Sequence, residues 1–188
     1  MDTFISILRG INVSGQKKIV MADLKTLYEN LGFIDVVTYI QSGNVIFKTD
    51  KNTGDTELAS KIEQAIFTNY NFHVPVITRT AKEMADIISA NPFLTNKEID
   101  PEKLHVTFLS DFPKQANHES IKDPEYLPDR FIIIGKEVFL YCPDNYGETK
   151  LSNRFFESKL KVSATTRNWK TVNRLFEIAV NTLKPAQA

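Results

Sequence analysis

The sequence predicts an α+β fold whose N-terminal half is a ferredoxin-like plait and whose C-terminal half is a second, related plait-like domain. Two observations support this. Over the first eighty residues, short β-branched and aromatic runs alternate with helical periodicity in the order β-α-β-β-α-β. A similar order returns after residue 102. We therefore expect a plait over residues 1–80, a helix and connection over 81–102, and a second α+β domain over 103–188 that ends in a long amphipathic helix.

Three local signals define the elements of the first plait. Gly32 follows a run of apolar residues at helical spacing and suits a helix C-terminus. Ser42-Gly43-Asn44 is typical of a β-hairpin turn, and Pro75 favours an edge strand. The predicted elements are strand 3–9, helix 21–31, strands 35–41 and 45–49, helix 56–67 and strand 74–79.

The second half repeats this order in outline. Thr80 and Glu83 form a capping box that begins a helix, which should end before Pro92. The last helix carries a clear apolar stripe. The remaining predicted elements are strand 103–109, a short helix near 113–120, strands 130–134 and 137–142, and helices 152–160 and 168–183. The repeated order makes a diverged duplication plausible, although no residue-level repeat is evident.

Composition narrows the class of protein. The 188 residues, 42% of them apolar, suit one large domain or two small ones. A single cysteine, Cys142, excludes an internal disulfide and fits a reducing compartment. The N-terminus lacks the basic start and long apolar run of a secretory signal, and no segment approaches the roughly 20 apolar residues that span a bilayer. We expect a cytoplasmic protein that does not bind membranes.

The charges balance at 23 against 23, yet they are unevenly distributed along the chain. Residues 150–174 carry seven basic side chains and one acidic one, whereas residues 98–129 carry eight acidic and three basic ones. The neutral total argues against a protein that coats polyanions. The local imbalance is compatible with an anionic ligand, a charged partner or self-association.

A first candidate site joins two loops of the predicted plait. In the strand order 4-1-3-2, strand 1 lies beside strand 3, so the end of strand 1 meets the hairpin turn at one sheet edge. Arginine and amide groups there suit a small anionic or polar ligand. In the structural alternative, residues 42–44 only form the turn and Arg9 pairs with a nearby acid. The candidate residues are Arg9, Asn12, Gln41, Ser42 and Asn44.

A second candidate anion site precedes the last helix. A helix N-terminus with basic neighbours attracts anions. The structural alternative is that Thr165 or Thr166 simply caps this helix, and we expect Trp169 to belong to the core. The candidate residues are Lys150, Asn153, Arg154, Thr166, Arg167 and Asn168.

The usual catalytic motifs are missing from the sequence. The loop at 10–18 lacks Walker A spacing, because Gln16 follows Gly15. The three histidines are far apart, His105 falls within a predicted strand, and no metal-ligand spacing occurs. We therefore predict no metal and no cofactor, and favour a binding role over an enzyme, although folding could still assemble a site from scattered residues.

Six segments resemble a known family. They are RGIN (9–12), TYIQSGNVIF (38–47), NPF (91–93), KLHVTFL (103–109), YGETKLSN (146–153) and ATTRNWKTV (164–172). Together they resemble the bacterial domain of unknown function 1697 family, over nearly the whole chain. The resemblance implies a small cytoplasmic protein with plait-like α+β domains, and it implies no activity or catalytic residue.

Three functions stay open at this point. The first is a binding protein for an anionic or phosphate-bearing ligand, with a nucleotide or nucleic acid as one version. An extended nucleic-acid site would need aromatic platforms on an open sheet face, for which Phe4 and Phe47 are the candidates. The second is an enzyme acting on a small anionic substrate without a metal. The third is a protein–protein interaction module.

Overall fold

A computed structural model describes residues 1–50, 54–119, 121 and 123–183. The chain forms two compact units. The first comprises Met1–Ala85 together with the chain from Arg174 onward, and the second is Asp86–Asn173. Among the described residues there are two four-stranded antiparallel sheets and six α-helices, which confirms the α+β class.

The first unit contains a sheet with the strand order β2-β3-β1-β4, in which all neighbours are antiparallel. Its central strand β1 pairs with β3 on one side and with β4 on the other. The elements are β1 (Asp2–Leu8), α1 (Met21–Asn30), β2 (Ile34–Tyr39), β3 (Asn44–Thr49), α2 (Asp55–Tyr70) and β4 (Val76–Thr80).

The second unit has the equivalent strand order, β6-β7-β5-β8, again antiparallel throughout. Short 3₁₀ turns lie at Pro92–Thr95, Pro101–Lys103, Asp123–Tyr126 and Tyr146–Glu148. The main elements are β5 (Leu104–Leu109), α4 (Gln115–Glu119), β6 (Arg130–Ile134), β7 (Glu137–Tyr141), α5 (Asn153–Leu160) and β8 (Ala164–Asn168).

Two further helices, α3 (Ala81–Ser89) and α6 (Trp169–Leu183), follow the last strand of each sheet directly. The predicted capping box is present at α3, where the Glu83 backbone N–H donates to the Thr80 hydroxyl at 3.1 Å. The Thr80 backbone N–H donates to the Glu83 carboxylate at 2.7 Å. Within the described ranges, no helix is both long enough and apolar enough to cross a bilayer.

One sequence prediction about α6 is wrong. Residues 164–168 form strand β8, which pairs with β5, so neither Thr165 nor Thr166 caps the helix. The cap is Asn168, whose side-chain oxygen accepts a hydrogen bond from the Thr171 backbone N–H at 2.8 Å. The polar appearance of the segment concealed the strand, although threonine is a good strand former.

The core of the first unit shows why the nucleic-acid platforms are not available. Phe4 is 3% exposed and Phe47 is fully buried. The Phe47 ring centroid lies 4.4 Å from that of Phe33 and 5.4 Å from that of Tyr28. The opposite face of the central strand is buried as well, at Ile5 and Ile7. Both aromatic side chains are therefore core residues.

The second unit has its own core, where Phe156 and Leu140 are fully buried against Phe131. Trp169 at the start of α6 is also buried, at 8% exposure, which confirms the core role predicted for it.

The two units share details as well as strand order. In the first, the Leu8 N–H donates to the Gly43 carbonyl at 2.8 Å, and in the second the Leu109 N–H donates to the Lys136 carbonyl at 2.8 Å. These bonds occupy the same place in each sheet, where the central strand ends beside its hairpin partner.

The last strands show a residue-level correspondence that the sequence analysis missed. Arg79 in β4 lies opposite Ile5, and Arg167 in β8 lies opposite Val106, at equivalent register positions. Each guanidinium donates to the carbonyl of its preceding threonine, at 2.7 Å for Arg79 and 2.9 Å for Arg167. The next residue caps the following helix in both cases. This correspondence supports a duplication.

Candidate ligand recess beside the first helix

Asn12 joins the two loops of the first candidate site. Its side-chain N–H groups donate to the Ile19 and Gln41 carbonyls, each at 2.9 Å, and its oxygen accepts from the Ile19 N–H at 2.9 Å. Asn12 has φ of 57°, a conformation that asparagine tolerates better than most residues. Its amide therefore fixes the loop between β1 and α1 against the turn between β2 and β3.

Gly43 allows the turn to approach this loop closely. A Cβ atom added there would lie 2.6 Å from the Ile11 Cδ1 atom and 2.9 Å from the Leu8 Cβ atom. The residue also has φ of +78°, which a side chain would strain. The predicted meeting of the two loops thus depends on an asparagine that ties them and a glycine that leaves room.

A recess with a volume of about 390 Å³ lies where these segments meet the start of α1. We call it the α1 recess. Its polar side chains are those of Asn12, Lys18 and Gln41, and the rest of the lining is mainly apolar. The lining residues are Asn12, Gly15, Lys18, Ile19, Val20, Met21 and Gln41.

The helix end at the recess carries no side-chain cap. Val20 occupies the N-cap position without a side-chain hydrogen bond, and its carbonyl accepts the Leu24 N–H at 2.9 Å. The first N–H groups of a helix have no intrahelical partner, and they give this end a partial positive charge. Asp23 in the first turn offsets part of that charge.

Lys18 is the only basic side chain among the lining residues of the α1 recess. Its side chain is exposed, and within the described part of the chain it forms no hydrogen bond or ion pair. The neighbouring Lys17 differs, because its ammonium donates to the His73 carbonyl at 2.6 Å. Gln41 is exposed too, and its carboxamide makes no hydrogen bond to any described residue.

The other residues of the first candidate site lie outside the recess lining. Asn44 is fully buried and donates to the Tyr39 carbonyl at 3.1 Å and to the Ser42 hydroxyl at 3.2 Å. These bonds hold the hairpin turn. Arg9 is half-buried, and its backbone N–H donates to the Pro75 carbonyl at 2.9 Å. The structure therefore brings the two loops together, with Asn12 and Gln41 at the recess and Ser42 and Asn44 in the turn.

In the second candidate site, four side chains make internal hydrogen bonds. Thr166 donates to the Asn153 side-chain oxygen at 2.6 Å and shares a 2.6 Å hydrogen bond with the Thr107 hydroxyl. Arg167 donates to the Thr165 hydroxyl at 3.1 Å, in addition to its bond with the Thr166 carbonyl. Asn168, as shown above, caps α6. These side chains stabilise β8 and its neighbours.

The electrostatics of Arg167 follow from its burial. Desolvation lowers the pKa of Arg167 to about 10, and the nearby Tyr146 opposes this shift. The guanidinium is still charged at neutral pH. Its interactions are nevertheless those of a packed strand residue, and it differs in this from the exposed Lys18.

Lys150, Arg154 and the helix cap Asn168 are exposed in the second candidate site. Lys150 lines a recess of about 240 Å³ in the second unit, which we call the acidic recess. Four carboxylates accompany it, so an anion would meet repulsion there. They belong to Glu125, Asp129, Asp144 and Glu148. The basic character of this part of the sequence therefore does not produce a basic recess at Lys150.

His105 and Tyr146 form a separate pair in the second unit. Their ring centroids are 4.5 Å apart with an interplanar angle of 21°. The His105 Nδ1 atom is buried and makes no hydrogen bond to the described residues. Burial lowers the pKa of His105, and the Lys103 carbonyl opposes this shift. The imidazole is therefore mainly neutral at pH 7.

Two further observations bear on chemistry. Burial, with the Asp129 charge as a second cause, raises the pKa of the Cys142 thiol to about 12. The thiol is therefore a poor nucleophile at neutral pH. Across the described residues, no group of histidine, cysteine and carboxylate side chains is arranged to hold a metal ion.

Sequence reasoning missed five of the seven lining residues: Gly15, Lys18, Ile19, Val20 and Met21. Lys18 belongs to the loop at 10–18, which lacks Walker A spacing. The available signal was the position of a basic loop immediately before an uncapped helix. The sequence does not show the hydrogen bonds of the Asn12 amide, which fold that loop back beside the hairpin turn.

Comparisons with known proteins extend these observations. A family model described as "Protein of unknown function (DUF1697)" matches residues 1–139, which include the whole α1 recess. The segments at 146–153 and 164–172 lie beyond that match. A solved structure, that of the conserved bacterial protein SP0830 from Streptococcus pneumoniae, aligns with a TM-score of 0.69 at 22% identity and covers 95% of this chain and 98% of its own. That similarity shows a shared fold. Curated proteins give no match.

Proposed function

Since the chain belongs to the DUF1697 family of proteins of unknown function, we propose a function from its own residues: it binds a small anionic ligand in the α1 recess. One observation carries the proposal. The ammonium of Lys18 stands at a recess of about 390 Å³ without a partner among the described residues. Recesses of about 300–1,000 Å³ are typical of small-molecule sites.

Each proposed contact makes a different contribution to ligand binding. Lys18 would attract the anion, the Gln41 carboxamide would donate a hydrogen bond, and the uncapped start of α1 would add a favourable dipole. An exposed ion pair contributes about 0.2–1 kcal/mol, and a helix N-terminus about 0.3–1 kcal/mol. Because these terms alone give weak binding, burial of apolar ligand surface against Val20 and Met21 must supply much of the affinity.

The fold provides the rigid frame for such a site. We propose that each unit is a ferredoxin-like plait and that the chain is organised as two related domains. The equivalent strand orders of the two sheets and the matching arginines of β4 and β8 support this. The unpaired thiol of Cys142 supports a reducing, cytoplasmic location.

A nucleic-acid ligand receives less support than a small molecule. The two aromatic side chains that could have stacked bases, Phe4 and Phe47, are buried. Phosphate chains also need several cations along their path, whereas the α1 recess presents Lys18 alone among its lining residues.

Thermal unfolding tests the proposal. Carboxylates, inorganic phosphate, sugar phosphates and nucleotides are compared with neutral analogues at constant ionic strength. A ligand at 100 times its Kd stabilises the folded state by about 2.7 kcal/mol, which corresponds to a rise in Tm of about 5–10 °C for a chain of this size. We expect Lys18→Gln to reduce the shift. Lys159→Gln, which removes an exposed lysine of α5, is the matched control.

Two outcomes would contradict the proposal. In the first, no anion raises the Tm, which would favour an interaction module instead. In the second, an anion raises the Tm equally in the wild type, the Lys18→Gln variant and the control, so that its site lies elsewhere.

The second candidate function is an enzyme, and the stacked pair His105–Tyr146 is the observation that favours it. A partly buried imidazole that is mainly neutral at pH 7 has the protonation state of a general base. A test is ligand binding that shifts the NMR resonances of the His105 ring. If that binding is lost in Tyr146→Phe but kept in Lys18→Gln, the ligand site is at this pair and not in the α1 recess.

A further inference from the structure

We infer that the ligand of the α1 recess is an amphipathic monoanion, namely a carboxylate attached to a short apolar chain or ring. This inference rests on the proposed function and narrows it. It also separates the site from one for nucleotides or other phosphate-rich molecules.

The charges at the recess suit one negative group. Among the lining residues Lys18 is the only basic side chain. Lys17 is engaged with the His73 carbonyl, and both N–H groups of the Asn12 amide are engaged with main-chain carbonyls. Asp23, in the first turn of α1, adds a negative charge at this end of the helix and so disfavours ligands of high negative charge. A dianionic or polyanionic ligand would therefore lack partners for its additional charge.

The remaining surface suits an apolar group. Val20 and Met21 supply the accessible apolar surface of the recess, and Val20 is 62% exposed although it is apolar. Ile19 lies beneath them at 2% exposure. Two more exposed apolar side chains adjoin the polar lining residues in sequence. Val13 follows Asn12 and is 58% exposed, and Ile40 precedes Gln41 and is 47% exposed. Val13 and Ile40 do not line the recess themselves, but exposed apolar residues next to its lining extend the apolar surface around it.

The backbone conformation of Ile40 also supports a ligand site at the α1 recess. Ile40 has φ of 52°, a left-handed conformation that is unusual for a β-branched residue. Strained residues of this kind occur preferentially where a site requires a particular shape. Here the strained residue directly precedes Gln41, whose carboxamide lines the recess.

The polar and apolar parts lie close together in the chain, because Lys18 directly precedes Ile19 and Val20. A ligand that places its carboxylate at the Lys18 ammonium can therefore lay an adjoining hydrocarbon group on the start of α1. A recess volume of about 390 Å³ is near the lower end of the range of about 300–1,000 Å³ for ligand sites, so the ligand is small.

The test is a titration series followed by NMR. Butanoate, hexanoate and octanoate are added to protein labelled at the methionine methyl groups. The chain has three methionines, of which Met21 lines the recess. Full burial of one methylene raises affinity about fourfold, the equivalent of about 0.8 kcal/mol. Because the recess is open to solvent, we expect a two- to fourfold gain per methylene.

Matched ligands and variants separate the contributions. We expect 1-hexanol to bind up to about tenfold more weakly than hexanoate, and Lys18→Gln to reduce that difference by the part that the ion pair contributes, about two- to fivefold. Val20→Ser should reduce the gain in affinity per methylene while keeping the preference for hexanoate over 1-hexanol. Lys159→Gln should change neither the gain per methylene nor that preference.

The outcomes distinguish this inference from the proposal on which it rests. If inorganic phosphate or adenosine monophosphate shifts the Met21 methyl in a Lys18-dependent way, and carboxylates gain nothing from added methylenes, the inference is wrong and anion binding stands. If no anion shifts the Met21 methyl, both are wrong. A Lys18-dependent affinity that rises with chain length supports both.

Discussion

Replacing Gly43 with alanine should destabilise the protein strongly, because the position combines a left-handed backbone with a close contact. The added Cβ would lie 2.6 Å from Ile11 Cδ1 and 2.9 Å from Ile11 Cγ1 and Leu8 Cβ. The left-handed conformation costs a non-glycine residue about 1–2 kcal/mol, and overpacking a core costs about 1–3 kcal/mol more. We expect a total loss of about 2–5 kcal/mol in the free energy of unfolding.

Gly10 is the matched control. It has φ of +70°, but a Cβ there would meet no atom within 4 Å. Gly10→Ala should therefore carry only the conformational cost of about 1–2 kcal/mol, reduced by the lower entropy of the unfolded chain. Urea unfolding monitored by circular dichroism gives both values. The difference between the two variants isolates the steric part.

A double-mutant cycle identifies the contact responsible. Ile11→Val removes the Cδ1 atom that a Gly43 side chain would meet first. Alone it should cost about 0.5–1.5 kcal/mol; in the Gly43→Ala background it should cost less, or restore stability. Equal losses for Gly43→Ala and Gly10→Ala, or strict additivity with Ile11→Val, would refute the close approach of the two loops.

Three other predictions concern the second unit. The pKa of His105 lies below its ordinary value of 6.5 in the folded state, so the unfolded state binds more protons as pH falls through 6.5. The free energy of unfolding should then decline by at most about 1.4 kcal/mol per pH unit. His105→Asn should remove this part of the pH dependence. Cys142, with its pKa raised to about 12 and its side chain buried, should react with a thiol reagent only slowly until the protein unfolds, and rapid reaction of the folded protein would contradict this. Thr166→Val should cost about 1–3 kcal/mol by leaving the Asn153 and Thr107 oxygens without their shared partner, while anion binding at the α1 recess, measured by thermal shift, stays unchanged.

Much of the fold was predictable because its signals are local. Helical spacing located α1 and α2, the Thr80–Glu83 capping box located α3, and the hairpin sequence at 42–44 located the β2–β3 turn. Each of these depends on residues a few positions apart. Periodicity and turn chemistry therefore sufficed.

The fourth strand of the second sheet was missed for a different reason. Thr165, Thr166 and Arg167 appear polar, and their pairing with β5 involves residues about sixty positions away. The equivalent strand β4 was predicted because Val76 and Ile77 give it an apolar character. Recognising that Arg79 and Arg167 occupy the same position would have located both strands.

Two of the seven residues that line the α1 recess were among those expected from the sequence. Strand order alone brought Asn12 and Gln41 together, and both line the α1 recess. Lys18 was missed, because its position depends on how the Asn12 amide folds the loop. The basic stretch near the C-terminus also predicted an anion site that its local surroundings do not favour. Net charge along a sequence does not reveal that Lys150 lies among carboxylates or that Arg167 bonds to its own strand.

The most direct test of the account maps the anion site on the whole chain. Backbone amide shifts are recorded while hexanoate, and separately inorganic phosphate, is added at constant ionic strength. We expect the largest changes at Lys18, Ile19, Val20 and the Gln41 side chain, with residues 150–168 unaffected. Amide shift changes concentrated at residues 150–168, without changes at the residues of the α1 recess, would contradict the account.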